Sequence, residues 1–359
     1  MSARDGGRSE CSRCGIGKKL YVRYFGKWLD GHEKTAYNSA CLPAGDGFAG
    51  NLKEKKGAIV MSKQLARSRG GISMTDGSLW KNIFLFSVPL IFSQLLQVMF
   101  NMADVAVVGK FANATALGSV GSTTTLVTLF TGFLIGLGSG VNVRVAQHLG
   151  ARQDEDTKNA VHTSLLICTL AGVIISLLCF FLAGPMLRVL KTKEDLLPGA
   201  ELYFRIYALG MPALGIFNFG NGVLSANGDT TRPLIYLTAA GILNVLLNLF
   251  FVIGCKMAAE GVALASILSQ YVSAALVLVH MLRMKDACRV QWKQMRFHSG
   301  ETARLLALGV PAGVQNMIFA VANLFIQVGV NSFDSTMVSG NSAAANTDAI
   351  VYNVMAAFY

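Results

Sequence analysis

The chain has 359 residues, of which 53% are hydrophobic and only 14% charged, with a mean hydropathy of +0.48. A water-soluble fold does not fit that balance, since soluble domains carry about 25% charged residues. The net charge of +11 does not point to nucleic acid either. The Lys and Arg residues sit in the N-terminal segment and in the breaks between apolar runs, where anionic lipid and membrane topology account for them.

Residues 1–73 are rich in Gly, Lys and Arg, show no apolar periodicity and lack the apolar core of a signal peptide. Two readings stand side by side: a disordered basic tail, or a segment that is not natively translated. The codons for Lys56-Gly57-Ala58 can contain a ribosome-binding sequence upstream of Met61, and Met74 is a second candidate start. Cys11 and Cys14 form one CxxC, with His32 and Cys41 downstream. A second close ligand pair does not accompany them, so zinc is a weak reading. Cys168, Cys179, Cys255 and Cys288 lie in or beside apolar runs, where Cys behaves as a small hydrophobe.

From Ile83 onward, apolar runs alternate with short polar breaks. Complete spans are expected at 81–108, 115–143, 160–183, 199–226, 231–255, 259–283 and 301–330, and an eighth begins near 338. Each exceeds the roughly 20 residues a bilayer helix needs, whereas barrel strands would be about ten residues with alternation. The fold class is therefore an all-α polytopic membrane protein. Pro89, Pro212, Pro233 and Pro311 fall within or at the edges of spans, where neighbouring helices can satisfy the freed carbonyls. Placing the N-terminus in the cytoplasm puts most of the Lys and Arg on that side, most clearly through the basic connection 283–304.

That connection also divides a repeat. An ungapped shift of 222 positions pairs Val88 with Val310, Pro89 with Pro311, Asn101 with Asn323, Gly118 with Gly340 and Thr125 with Thr347. Duplicated halves are a hallmark of secondary transporters, whose substrate path runs between the repeats. The expected organisation is a polar extension (1–73), a six-helix N-terminal lobe (74–283), a basic cytoplasmic inter-lobe loop (284–300) and an incomplete C-terminal lobe (301–359). The second repeat breaks off in its second helix, so the sequence reads as a fragment.

Ionisable groups inside the spans are few, and each is costly enough in lipid to be a functional candidate. Asp104 follows Asn101 by about one turn in NMAD and can share a face with Gln97; an interfacial Asp reaching water is the alternative. Asp348 in the eighth span is a second candidate, with a helix-start Asp as its alternative. Asn244 and Asn248 stand at i and i+4 in GILNVLLNLFFVI, one polar face on an apolar helix, a pairing that also serves as interhelical glue. Gly132, Gly136 and Gly140 recur every fourth residue, a packing signature. His148, His162, His280 and His298 lie at span ends or in loops without a hydrolytic or metal motif.

The stretches PLIFSQLLQVMFNMADVAVVGKF, AQHLGA, NGVLSANGDTTRP, GILNVLLNLFFVI and GVALASILSQ occur in an order that resembles bacterial members of the multidrug and toxic compound extrusion (MATE) family. The resemblance runs from about residue 74 to 359. It implies a cation or proton site built from Asp104, Asn244, Asn248 and Ser266, with Pro89, Gln94, Gln97, Asn101, Asn218, Asn221 and Asp348 as cavity or hinge candidates. Asn248 stands where the family motif usually reads Asp, which leaves one carboxylate to hold Na⁺ and makes protonation of Asp104 the simpler coupling event. Ser225 stands where Arg is common.

What the resemblance implies is a secondary antiporter, not an enzyme, that exports organic and often cationic molecules in exchange for H⁺ or Na⁺ by alternating access. It implies no cofactor beyond the coupling ion, small organic substrates and the lipid bilayer as partners, and a monomeric transporter in the plasma membrane. A flippase of lipid-linked precursors is the nearest alternative, but it would need a cationic cavity for phosphates. An intramembrane enzyme would need paired carboxylates or metal ligands inside the bilayer, where only Asp104 and Asp348 qualify.

Overall fold

The structure, a computed structural model, describes residues 79–111, 114–190, 192 and 194–330. The expectations for the 1–73 extension, the CxxC, the eighth span and Asp348 lie outside the described residues. Among these, the chain is helical throughout with no strand: α1 (Leu79–Phe111), α2 (Ala114–Gly150), α3 (Asp154–Val189), α4 (Leu197–Ala208), α5 (Met211–Ala226), α6 (Thr231–Leu249), α7 (Ala259–Arg283) and α8 (Ser299–Val330). Six of the helices, all but α4 and α5, are long and apolar enough to cross a membrane.

The fourth expected span, 199–226, is two helices rather than one. At its centre the backbone tightens, with Leu209 N–H bonding Ile206 O at 3.0 Å and Gly210 N–H bonding Tyr207 O at 2.9 Å. Pro212, which has no N–H to continue a ladder, then sits in the first turn of α5, where that donor would be unpaired anyway. Gln270 of α7 reaches into the break, where a Cβ on Gly210 would stand 2.3 Å from its Oε1 and displace that side chain.

Helix α2 is the central post, packed against α3, α4, α5 and α8, while α1 packs on α6 and α6 on α7. Small residues set these distances, because lipid tails give apolar helices no reason to associate and close van der Waals contact has to do so. A Cβ on Gly222 would lie 2.5 Å from Gly138 O where α5 crosses α2, and one on Gly215 would lie 2.5 Å from Cys168 O where α5 crosses α3. Cys168, Cys179 and Cys288 are buried as small hydrophobes, whereas Cys255 is exposed just after the π-helical turn Phe250–Gly254.

The NGDTTRP stretch makes the α5–α6 turn. Gly228 takes the left-handed conformation at φ 82°, Asp229 Oδ1 accepts the Arg232 N–H at 3.2 Å, and the Thr230 hydroxyl reaches Phe86 O of α1 at 3.2 Å. The basic connection after α7 is anchored as well. Cys288 and Val290 are buried, and the Gln291 N–H donates to His162 Nε2 of α3 at 2.9 Å. Its Arg283, Lys285, Arg289, Lys293 and Arg296 stay exposed.

Gly222→Ala should destabilise the bundle by about 1–3 kcal/mol, because backbone rather than a flexible side chain meets the new methyl. Gly121→Ala meets no atom within 4 Å and should not lower stability. Thermal unfolding of the two purified variants in detergent measures the difference.

Candidate functional site

Three helices bring the site together. Asp104 comes from α1, Asn244 and Asn248 from successive turns of α6, and Ser266 from α7. The close approach of α1 to α6 depends on Gly241, one turn from Asn244, where any Cβ would collide with the ring of Phe100. Asn248, fully buried, donates through Nδ2 to Asp104 Oδ1 at 2.5 Å and to Asn244 Oδ1 at 3.1 Å. The Ser266 hydroxyl lies 3.5 Å from Asp104 Oδ2, and Asn244 Nδ2 lies 3.4 Å from Ser266 Oγ. The carboxylate is thus met on each oxygen by a neutral donor. Asn248 Oδ1 is buried with no hydrogen-bond partner among the described residues.

Asp104, Asn244 and Ser266 form part of the wall of a cavity of about 310 Å³, with Asn248 buried behind them. Helix α2 contributes Thr123, Thr124, Thr128 and Thr131, α4 contributes Tyr203 and Tyr207, and α7 contributes Ser269, Gln270 and Ser273 beyond Ser266. The tyrosines stack with centroids 6.0 Å apart, and Gln270 Nε2 donates to the Tyr207 hydroxyl at 3.1 Å. Thr124, Thr128 and Thr131 donate to carbonyls of their own helix, at 3.1, 2.8 and 2.8 Å, which leaves their oxygens as acceptors toward the cavity. Among the described lining residues Asp104 is the one acidic side chain, and none is Lys, Arg or His.

Of the other sequence candidates, Gln97 and Asn218 line the cavity. Gln94 and Asn221 do not. Gln94 lies ten residues before Asp104, about 15 Å along the axis at about 1.5 Å per residue and about 80° away around the helix at about 3.6 residues per turn. Helix α1 runs through Pro89 without interruption, and Ser93 donates to the Pro89 carbonyl at 3.0 Å. The Asn101 side chain lies outside the described part of α1. The threonines of α2 and the polar residues beside Ser266 on α7 were missed from the sequence, although their spacing carried a signal: 124, 128 and 131 on α2, and 269, 270 and 273 together with 266 on α7, fall on one face each.

The MatE family model matches residues 89–250, from Pro89 through α6. Over that stretch the chain is similar to MATE-family proteins. Among relatives, it is 31% identical over 278 residues to the probable multidrug resistance protein YpnP of Bacillus subtilis, covering 77% of this chain and 62% of that protein. It is 24% identical to an FAD transporter of Shewanella oneidensis, covering 76% and 61%, and 21% identical to the multidrug export protein MepA of Staphylococcus saprophyticus, covering 70% and 56%. The chain thus spans about three fifths of the length of these curated relatives. The fold matches a solved outward-facing multidrug resistance MATE transporter at TM-score 0.75 and 21% identity, over 80% of this chain and 64% of that one. A MOP superfamily transporter from Pyrococcus furiosus matches at 0.74 and 21%, with the same coverage of 80% and 64%. MATE proteins are transporters rather than enzymes.

Asn248→Leu should cost about 1–3 kcal/mol for each acceptor left without its donor, at Asp104 and Asn244. Asn221→Ala, outside the cavity, should stay within about 0.5 kcal/mol of wild type. Parallel unfolding curves of the two variants separate a buried hydrogen-bond hub from an incidental polar residue.

Proposed function

We propose that the chain is the first lobe and the start of the second lobe of a secondary antiporter that exports bulky, often cationic organic molecules by alternating access, with H⁺ as the coupling ion. The observation that carries this reading is the single carboxylate, Asp104, at the wall of an otherwise neutral cavity. Apolar and aromatic lining offers contact area, hydroxyl oxygens offer acceptors, and one negative charge favours a cation.

Asp104, Asn244, Asn248 and Ser266 act as one unit. An ionised Asp104 keeps its bonds from Asn248 and Ser266, whereas protonation weakens the charge-assisted part of both and releases a lipophilic cation. With an amide at 248 in place of a second carboxylate, the site has little charge to strip Na⁺ of its water, and the proton is the ion it suits. A flippase of lipid-linked phosphates would need Lys or Arg facing the cavity, and the lining described above has neither. The transporter acts as a monomer in the plasma membrane, with the 284–298 connection and the N-terminus on the cytoplasmic side, as the distribution of Lys and Arg supports.

In cells expressing the transporter, Asp104→Asn should reduce dye efflux to the empty-vector level while leaving expression and insertion near normal, because Asn keeps the shape but cannot titrate. Asn248→Asp should raise dependence on an imposed Na⁺ gradient by restoring the second charge. Wild-type efflux and gradient dependence in Asp104→Asn would show that Asp104 is only an interfacial residue.

A further inference from the structure

The glycines at every fourth position of α2 meet α8, the helix that opens the second repeat. A Cβ on Gly136 would stand 2.3 Å from Gly313 N, and one on Gly140 would stand 2.6 Å from Gly309 Cα, so the two backbones touch. Beside them Asn316 Nδ2 donates to Gly132 O at 3.0 Å. Toward the 284–298 connection this smooth seam ends in a charged group. The Arg144 guanidinium donates through Nε and one terminal nitrogen to both oxygens of Glu301, at 2.8 and 2.7 Å. His148 Nε2 lies 3.2 Å from the same carboxylate, and Gln147 takes a further Arg144 bond at 3.0 Å. The pair is largely buried, with side-chain exposures of 9% and 14%.

We propose that Arg144, Glu301 and His148 form a latch between the lobes. It holds α8 docked on α2 at the side of the basic connection, and the lobes part there only when the bidentate pair opens. This rests on the two-lobe transport reading. Elsewhere α8 is sparsely covered, with Ile318, Phe319, Phe325 and Ile326 exposed, so its hold on the first lobe concentrates in this seam. The chemistry suits a contact that must reverse. A fork-to-fork Arg–carboxylate pair is strong and directional while enclosed, and both charges recover hydration when the seam opens to water at the helix ends. The crossing at Gly136–Gly313 and Gly140–Gly309 brings backbone against backbone with only Leu137, Phe133 and Asn316 beside it, so it can serve as the pivot while the ionic end releases.

Amide hydrogen exchange on the purified chain in lipid nanodiscs tests the latch directly. Glu301→Gln and Arg144→Met should each speed exchange of the 299–310 amides by roughly tenfold or more, and leave α3 and α5 unchanged. Arg304→Gln, which removes an exposed charge from the same helix without touching the pair, should leave α8 as in wild type. The latch is overturned if Glu301→Gln leaves α8 exchange unchanged, if it loosens α3, α5 and α8 alike, or if Arg304→Gln loosens α8 equally. None of these outcomes bears on efflux, so the transport reading stands or falls separately on Asp104→Asn.

Discussion

A carboxylate placed between membrane helices must find its hydrogen-bond donors within the protein, because lipid supplies none. Asp104 finds them on two other helices, Asn248 on α6 and Ser266 on α7. That requirement fixes the relative rotation of α1, α6 and α7, since turning any of them by one residue removes a donor or aims it into lipid. Neutral donors meet the charge without cancelling it. On the proposed reading, a cation from the cavity or a proton is then the remaining way to do so.

The rest of the bundle is arranged around the space this creates. Gly241 admits the Phe100 ring and so draws α1 toward α6, while Gly138, Gly215 and Gly222 let α5 lie close on α2 and α3. The break at Leu209–Gly210 lets Gln270 of α7 approach the chain and hold Tyr207 at the cavity wall. Bulk is thus excluded from the crossings and collected at the lining, where aromatic rings and hydroxyls face the same opening as Asp104.

How much of this could be read from the chain follows from whether each signal was local. The spans were legible because hydropathy is local, and so were Asp104 and the Asn244/Asn248 pair, because a polar group in an apolar run stands out and i, i+4 spacing shares a face. Their convergence came from the family resemblance rather than from spacing. The break in the fourth span was hidden, since Gly210 and Pro212 sit inside an apolar run that looks continuous. The threonines of α2 were passed over because serine and threonine are cheap in a membrane helix and draw attention only as a periodic set. The partner of the Gly132/136/140 row could not be read at all. It lies on α8 more than 150 positions away, as does Glu301 relative to Arg144. Gln94 and Asn221 carry similar chemistry but are not among the residues that line the cavity.

The central claim is that proton and organic cation compete for one carboxylate. Binding of tetraphenylphosphonium to the purified protein, measured calorimetrically across a pH series, tests it most directly. Affinity should fall as the pH is lowered, since each bound proton removes the charge that attracts the cation, and Asp104→Asn should bind weakly at every pH with the dependence abolished. Equal affinity and an unchanged pH dependence in Asp104→Asn would contradict the account.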